Sequence, residues 1–290
     1  MRSSLWHSSF AAITICSLIA VPDAAADTIA DAASEGDKPL WEVSLAGFSR
    51  YGPAYPASDD YQTNIVPLPF PIYRGRFLRV GEDTDKPVTT RIFKRDRIKL
   101  DLDFGLNLPV DSDEIMVRTG MPDLDLLLEV GPELEFQFVE NFAGDLFLGL
   151  QTRGAISFDG LDPTWRGVVF STELKYELPI WNSDSKFLVR LTPEIASSKY
   201  MDYFYGVSSD FETPERSTYK ARSGYLGTRL ALSLQHEINK NFEIRTGVRV
   251  GFYQGAKNEG SPLFTADNTG GVYFAFLWKF WESKRRASAE

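Results

Sequence analysis

The chain is almost without the side chains on which most protein chemistry depends. Its 290 residues hold one cysteine, Cys16, and two histidines, His7 and His236. Cys16 and His7 both lie in a stretch that reads as an export leader, so the mature chain is expected to have no thiol, no disulfide and no Cys-ligated metal. Nowhere does it carry the run of about 20 apolar residues that a membrane-spanning helix requires. Basic residues are outnumbered, 31 Lys and Arg against 40 Asp and Glu, for a net charge of -9. That balance disfavours nucleic acid as a partner, because phosphate binding needs clustered cations.

What the chain has in abundance is alternation. Leu100, Leu102, Phe104, Leu106 and Leu108 alternate with Lys99, Asp101, Asp103, Gly105 and Asn107. Beyond one polar loop, Leu126, Leu128, Val130, Leu134, Phe136 and Phe138 alternate with Leu127, Glu129, Gly131, Glu133, Glu135 and Gln137. Successive strand side chains point to opposite faces, so each run has one oily and one charged face. Both are about as long as the roughly 9 to 11 tilted residues that carry a strand across a bilayer.

Taken in order, residues 1–26 carry a positive start at Arg2, an apolar stretch from Phe10 to Val21 and the small residues Ala24, Ala25 and Ala26, the pattern of a cleaved secretory signal. Residues 27–39 are small, polar and acidic, expected as a flexible periplasmic lead-in. Residues 40–281 are expected to form the barrel, and 282–290 a polar tail. Trp41 opens a first strand and Tyr61 to Tyr73 a second, where Pro67, Pro69 and Pro71 call for an edge, bulge or rim. Phe77 to Val80 and Val88 to Phe93 follow, joined by a polar loop from Gly81 to Pro87. The patterns that begin at Phe142, Val168, Phe187, Leu226, Phe242 and Val272 complete the series.

Short connections, such as Val139 to Asn141 and Asn239 to Asn241, alternate with long ones. The long ones are Tyr51 to Asp60, Pro109 to Asp123, Asp159 to Trp165, Lys199 to Lys220 and Gly255 to Gly270. This is the expected difference between periplasmic turns and extracellular loops. The reading is all-β: a transmembrane antiparallel β-barrel of about twelve strands with both termini periplasmic. Trp41, Tyr73, Phe138, Phe142, Tyr176, Trp181, Phe242, Tyr253, Phe280 and Trp281 are placed to form interfacial girdles. A soluble sandwich would alternate as well, but the leader, the strand length and the aromatic placement separate the two.

Candidate sites are few. A serine hydrolase needs a base near neutral pKa, and His236, the one mature histidine, falls on a leucine-bearing face where an interfacial ring is the plainer reading. Glu129, Glu133, Glu135, Arg190, Arg229, Arg245 and Arg249 share the inward face with further Lys and Glu residues, and are expected to pair as a structural network rather than as a reactive dyad. Asp111, Asp113 and Glu114 have oxygen-rich spacing that would suit calcium, although a solvated loop explains them more simply. No cofactor, catalytic or metal site is assigned. In the loop from Pro109 to Asp123, Gly120, Met121, Pro122 and Asp123 combine a turn-permissive glycine with a stiff proline, so an ordered partner or gating loop is expected there.

Short motifs in order carry a resemblance across nearly all of Trp41 to Phe280. They are Ser58-Asp59-Asp60-Tyr61, Pro67-Leu68-Pro69-Phe70, Gly120-Met121-Pro122-Asp123-Leu124, Leu128-Glu129-Val130-Gly131-Pro132, Tyr203-Phe204-Tyr205-Gly206-Val207, Tyr219-Lys220-Ala221 with Gly224, and Ser261-Pro262-Leu263. The chain resembles the MipA/OmpV family of Gram-negative outer-membrane proteins. The resemblance implies a barrel in outer-membrane lipid and, for the founding type, a scaffold between a murein transglycosylase and a murein synthase. Other members are surface proteins linked to permeability or adhesion, and no catalytic motif comes with the family. One departure is the tail Trp281 to Glu290, since barrels usually end on the last strand's aromatic residue. The expected function is therefore a non-enzymatic envelope scaffold or surface protein. A small-solute channel is the alternative.

Overall fold

A computed structural model describes residues 39–74, 79–83, 86–89, 93–95, 97–141, 144–180 and 184–287. The expected leader (1–26) and all of the lead-in except Pro39 lie outside these residues, as do Phe142 and Trp181. The strands are β1 (Trp41–Pro53), β2 (Tyr61–Arg74), β3 (Arg79–Asp83), β4 (Lys86–Thr89), β5 (Phe93–Arg95), β6 (Ile98–Asn107), β7 (Leu126–Asn141), β8 (Gly144–Asp159), β9 (Asp162–Ile180), β10 (Ser185–Ala196), β11 (Gly224–Asn239), β12 (Phe242–Phe252) and β13 (Asn268–Glu282). One helix, α1 (Ser198–Tyr205), interrupts the series. The strands form one antiparallel sheet in the order β4-β3-β2-β1-β13-β12-β11-β10-β9-β8-β7-β6-β5.

The sheet curls back on itself, and chain connectivity says why. Its two end strands, β4 and β5, are neighbours in sequence, with only residues 90–92 between them. Four Cα-to-Cα steps of about 3.8 Å bring Thr89 and Phe93 to within about 15 Å of each other. β4 indeed comes within 8 Å of β6, at the opposite end of the sheet. The two ends of the described chain meet as well, Pro39 bridging Arg286 and the Leu40 N–H donating to the Arg285 carbonyl at 2.7 Å.

The prolines of β2 sit where the sequence can tolerate them. Alternate N–H groups of a strand point to the same neighbour, so Pro67, Pro69 and Pro71 all remove donors from one edge. β1 pairs with β2 from Trp41↔Tyr73 to Pro53↔Tyr61, whereas β3 pairs with it only at Tyr73 and Arg74. The donor-poor edge is thus the one with almost no ladder.

Burial along the strands runs opposite to that of a soluble protein. Large apolar side chains are exposed on the outer face, among them Ile65, Leu174, Leu191, Val248, Val272 and Phe274, while Asp101, Glu133, Arg153, Lys175 and Arg245 are buried inside. Monomeric soluble proteins rarely leave contiguous apolar areas of this kind to water. Aromatic rings mark both ends of the belt: Trp41, Phe138, Phe280 and Trp281 at the end that carries the termini, and Tyr51, Tyr61, Trp165 and Phe252 at the other, the loop end.

Three expectations need correction. The connection expected from Asp159 to Trp165 is a tight turn, because β8 and β9 stay paired out to Asp159↔Asp162, with Gly160 at φ +59°. The loop expected from Gly81 to Pro87 is shorter, since β3 reaches Asp83 and β4 begins at Lys86. Leu226, placed by its even number on the oily outer face, is 2% exposed inside the molecule. Glu194 pairs with Gly227 and Ile195 with Tyr225, so Leu226 is the extra residue of a bulge that turns it inward.

Candidate functional site

The interior has two storeys. The lower one, within the strands, is ionic. Arg153, 3% exposed, donates to Asp103 Oδ2 at 2.8 Å and to Glu194 Oε1 at 3.3 Å, and its Nε lies 3.1 Å from Glu129 Oε2. Arg229 donates to the same Glu194 oxygen at 2.8 Å. Lys175 lies between Glu135 at 3.2 Å and Glu177 at 3.0 Å, over the ring of Phe147. Gln151 bridges Glu133 and Ser171, and Gln235 links Glu243 to Arg245. Low on the wall, Arg74 pairs with Glu42 at 3.1 Å. Charges taken out of water persist when paired and hydrogen-bonded in this way.

The upper storey is a cap of loops folded over the loop end, and it is apolar. Tyr55, Ile115, Leu124, Met201, Phe204 and Tyr205 form its centre, each at most 5% exposed. They come from the β1–β2 loop, the β6–β7 loop and α1. Ser197 caps α1, its Oγ accepting from the Tyr200 N–H and also from the Val168 N–H of β9. Gly167 makes that seat fit: its φ is +108°, and a Cβ there would lie 2.3 Å from Ser197 Oγ. Tyrosine hydroxyls then lace the loops together. Tyr55 donates to the Leu263 carbonyl at 2.7 Å, Tyr205 to the Pro56 carbonyl at 3.0 Å and Tyr203 to the Asp125 carbonyl at 2.9 Å. Tyr200 reaches down to Glu129 Oε1 at 2.7 Å and so joins the cap to the ionic storey.

Burial sets the acid–base character of these cap groups. It pushes the Tyr55 hydroxyl up to about 12, and it raises Tyr203 and Tyr205 as well. Tyr200 is raised first by burial and then by the carboxylate of Glu129. Arg118, 3% exposed in the β6–β7 loop, is lowered by burial. It stays satisfied by donating to Ser112 Oγ, the Pro122 carbonyl and the Phe204 carbonyl.

The residues singled out from sequence divide between these storeys. Glu129, Glu133 and Arg245 are 4%, 2% and 0% exposed on the inner face, and Glu135, Arg190, Arg229 and Arg249 are half-buried there. Glu129 and Glu135 enter the network above, while Arg190 lies 3.8 Å from Glu173. Gly120, Met121, Pro122 and Asp123 form an ordered loop tip. Gly120 adopts φ +77°, its N–H donates to Asp113 Oδ1 at 3.0 Å, and Asp123 Oδ1 accepts from the Ser112 N–H at 2.8 Å. Arg216 clamps the same loop by donating to the carbonyls of Val117 and Thr119. Asp111 and Asp113 accept from backbone within this loop, and no group of three or more metal-binding side chains is assembled among the described residues. Tyr253, expected in a girdle, is 6% exposed inside the cap instead.

One pairing escaped sequence reasoning. His236 Nδ1 lies 2.8 Å from Ser185 Oγ, because β10 and β11 pair in the register Ser185↔His236. Ser185 is 1% exposed.

The family model for the MltA-interacting protein MipA matches residues 45–280. The chain belongs to the MipA family. An exposed apolar belt around a charged interior is what that membership requires of an outer-membrane β-barrel. Solved structures similar to this member include an outer-membrane channel from Pseudomonas putida F1, at 9% identity and TM-score 0.46, covering 87% of this chain and 100% of that one. The NanC porin follows at 12% identity and TM-score 0.38, covering 82% and 100%. OprG from Pseudomonas aeruginosa, at 12% identity and TM-score 0.24, covers 86% and 99%. No curated protein matches the chain.

Proposed function

We propose that this MipA-family member is a capped, non-enzymatic barrel of the outer membrane that serves as a scaffold or surface protein of the cell envelope. On this reading β4 and β5, neighbours in sequence that pair with opposite ends of the sheet, count as one, for twelve strands with both termini in the periplasm. The observation that carries the reading is the cap: a tyrosine-laced apolar core seated on the loop end, above a buried ionic network around Arg153. A conducting pore needs a continuous wet path, and both storeys oppose one. The periplasmic rim offers a surface of its own. Lys284, Arg285 and Arg286 are exposed beside the Pro39–Arg286 bridge of an otherwise acidic chain. The family's name points to a murein transglycosylase as partner, with a murein synthase as the second enzyme bridged. Affinity capture from crosslinked envelopes tests this: recovery of cell-wall enzymes, lost when the three rim cations become glutamine, is the expected result. Steady open conductance of the pure protein in a planar bilayer, with no such partners captured, would replace the scaffold by a channel.

A further inference from the structure

Between the ionic storey and the cap lies a cavity of about 100 Å³ with a strongly cationic wall. Three arginines line it, Arg50 from β1, Arg229 from β11 and Arg249 from β12, together with Asn107, and its lining contains no aspartate or glutamate. In a chain of net charge -9 this is a local reversal of sign. Lower in the lumen the balance is opposite: three carboxylates, Asp103, Glu129 and Glu194, gather around Arg153. The carboxylate next to the cavity, Glu194, already divides one oxygen between Arg153 and Arg229.

Polar atoms at this level still have capacity to bond. Arg50 donates through Nη2 to the Pro53 carbonyl at 2.8 Å, but its Nε is buried without a hydrogen-bond partner. Buried donors left unpaired are costly, and a guanidinium fork suits a planar or tetrahedral oxyanion. A volume of about 100 Å³ leaves room for a carboxylate or phosphate group. Low-dielectric walls concentrate the field of the three cations on that space. The rings of Tyr253 and Tyr273 stand beside it and offer flat surfaces to the rest of a bound molecule.

We propose that this cavity is a binding site for the anionic group, carboxylate or phosphate, of a small solute. The proposal rests on the reading of the chain as a capped outer-membrane barrel, since the cap residues Tyr55 and Tyr253 form part of the site's wall. The test is calorimetric titration of the full folded barrel in detergent micelles with galacturonate, with neutral galactose and with inorganic phosphate. Binding of galacturonate or phosphate, with none of galactose, is expected, and the tighter anion assigns the class. Arg50→Gln and Arg249→Gln should each weaken that binding about tenfold while heat-modifiable gel migration is kept. Lys99→Gln, outside the cavity, should leave it unchanged. Equal heats for galactose and galacturonate, no heat from either anion, or affinity untouched in whichever arginine variants fold would overturn the site. Open conductance in a planar bilayer would overturn the capped reading alone and leave the titration to decide the site.

Discussion

The wall and the cap of this barrel are built from one chain by opposite rules. In the wall, Val248, Val272 and Phe274 face outward while Glu133, Arg153 and Arg245 are buried. In the cap, Met201, Phe204 and Tyr205 are buried while Asp113, Glu114 and Asp210 lie outside. The wall meets hydrocarbon and the cap meets water, so each turns its compatible groups outward. Polar groups are therefore the interior cement of the wall, whereas in the cap they stitch the edges of an apolar core. Tyr200, donating to Glu129, is the direct bond between the two regimes.

The sharpest way to break the comparison is to remove the wall's central cation. Arg153→Leu would leave Asp103, Glu129 and Glu194 facing one another in a buried space, a loss of about 3 to 5 kcal/mol. Urea unfolding in detergent micelles should show it, and a midpoint equal to wild type would mean the network contributes nothing. On the outer face, Val248→Arg should cost roughly 2 to 4 kcal/mol at mid-membrane depth. Refolding yield into lipid vesicles measures this, and an undiminished yield would deny that the face meets lipid.

The cap should respond differently, locally and more weakly. Gly120 holds φ +77° with open space around its Cβ position, so Gly120→Val is opposed by backbone strain alone, about 1 to 2 kcal/mol. Asp123→Ala, which removes the acceptor for the Ser112 N–H, should cost about 1 kcal/mol. Both should speed proteolytic nicking of the β6–β7 loop with the barrel left heat-modifiable. Loss of the folded gel form instead would make the loop part of the wall's stability.

The smallest perturbation is a proton. Tyr55 is pushed up to about 12 by burial, and Tyr200, Tyr203 and Tyr205 are raised as well. Between about pH 10 and the raised values, unfolded tyrosines ionise while those in the cap must stay protonated. The unfolded cap then binds fewer protons, so its stability is complete below about pH 10 and falls as pH rises further. Loop proteolysis should accelerate across that window before the wall's circular dichroism changes. Simultaneous loss of both signals would show that wall and cap open as one unit.

Much of the wall was legible in the chain itself, because alternation is a local property: Leu100 to Leu108 declare one face without reference to any other segment. That local rule gave the faces of Leu174, Val248 and Phe274. It failed where the third dimension intervened. A bulge against Glu194 turned Leu226 inward, and the cap claimed Tyr253. The cap's contacts have no period to read, since Tyr55 and Leu263 are 208 residues apart, and Arg153 finds Asp103 from 50 residues away. Which charges share a partner, and which three arginines enclose a space without an acid, depends on how the strands register and where the loops fold back. Strand character is fixed by neighbours in sequence, whereas the cap, the curl that brings β4 near β6, and the cationic cavity are fixed by neighbours in space.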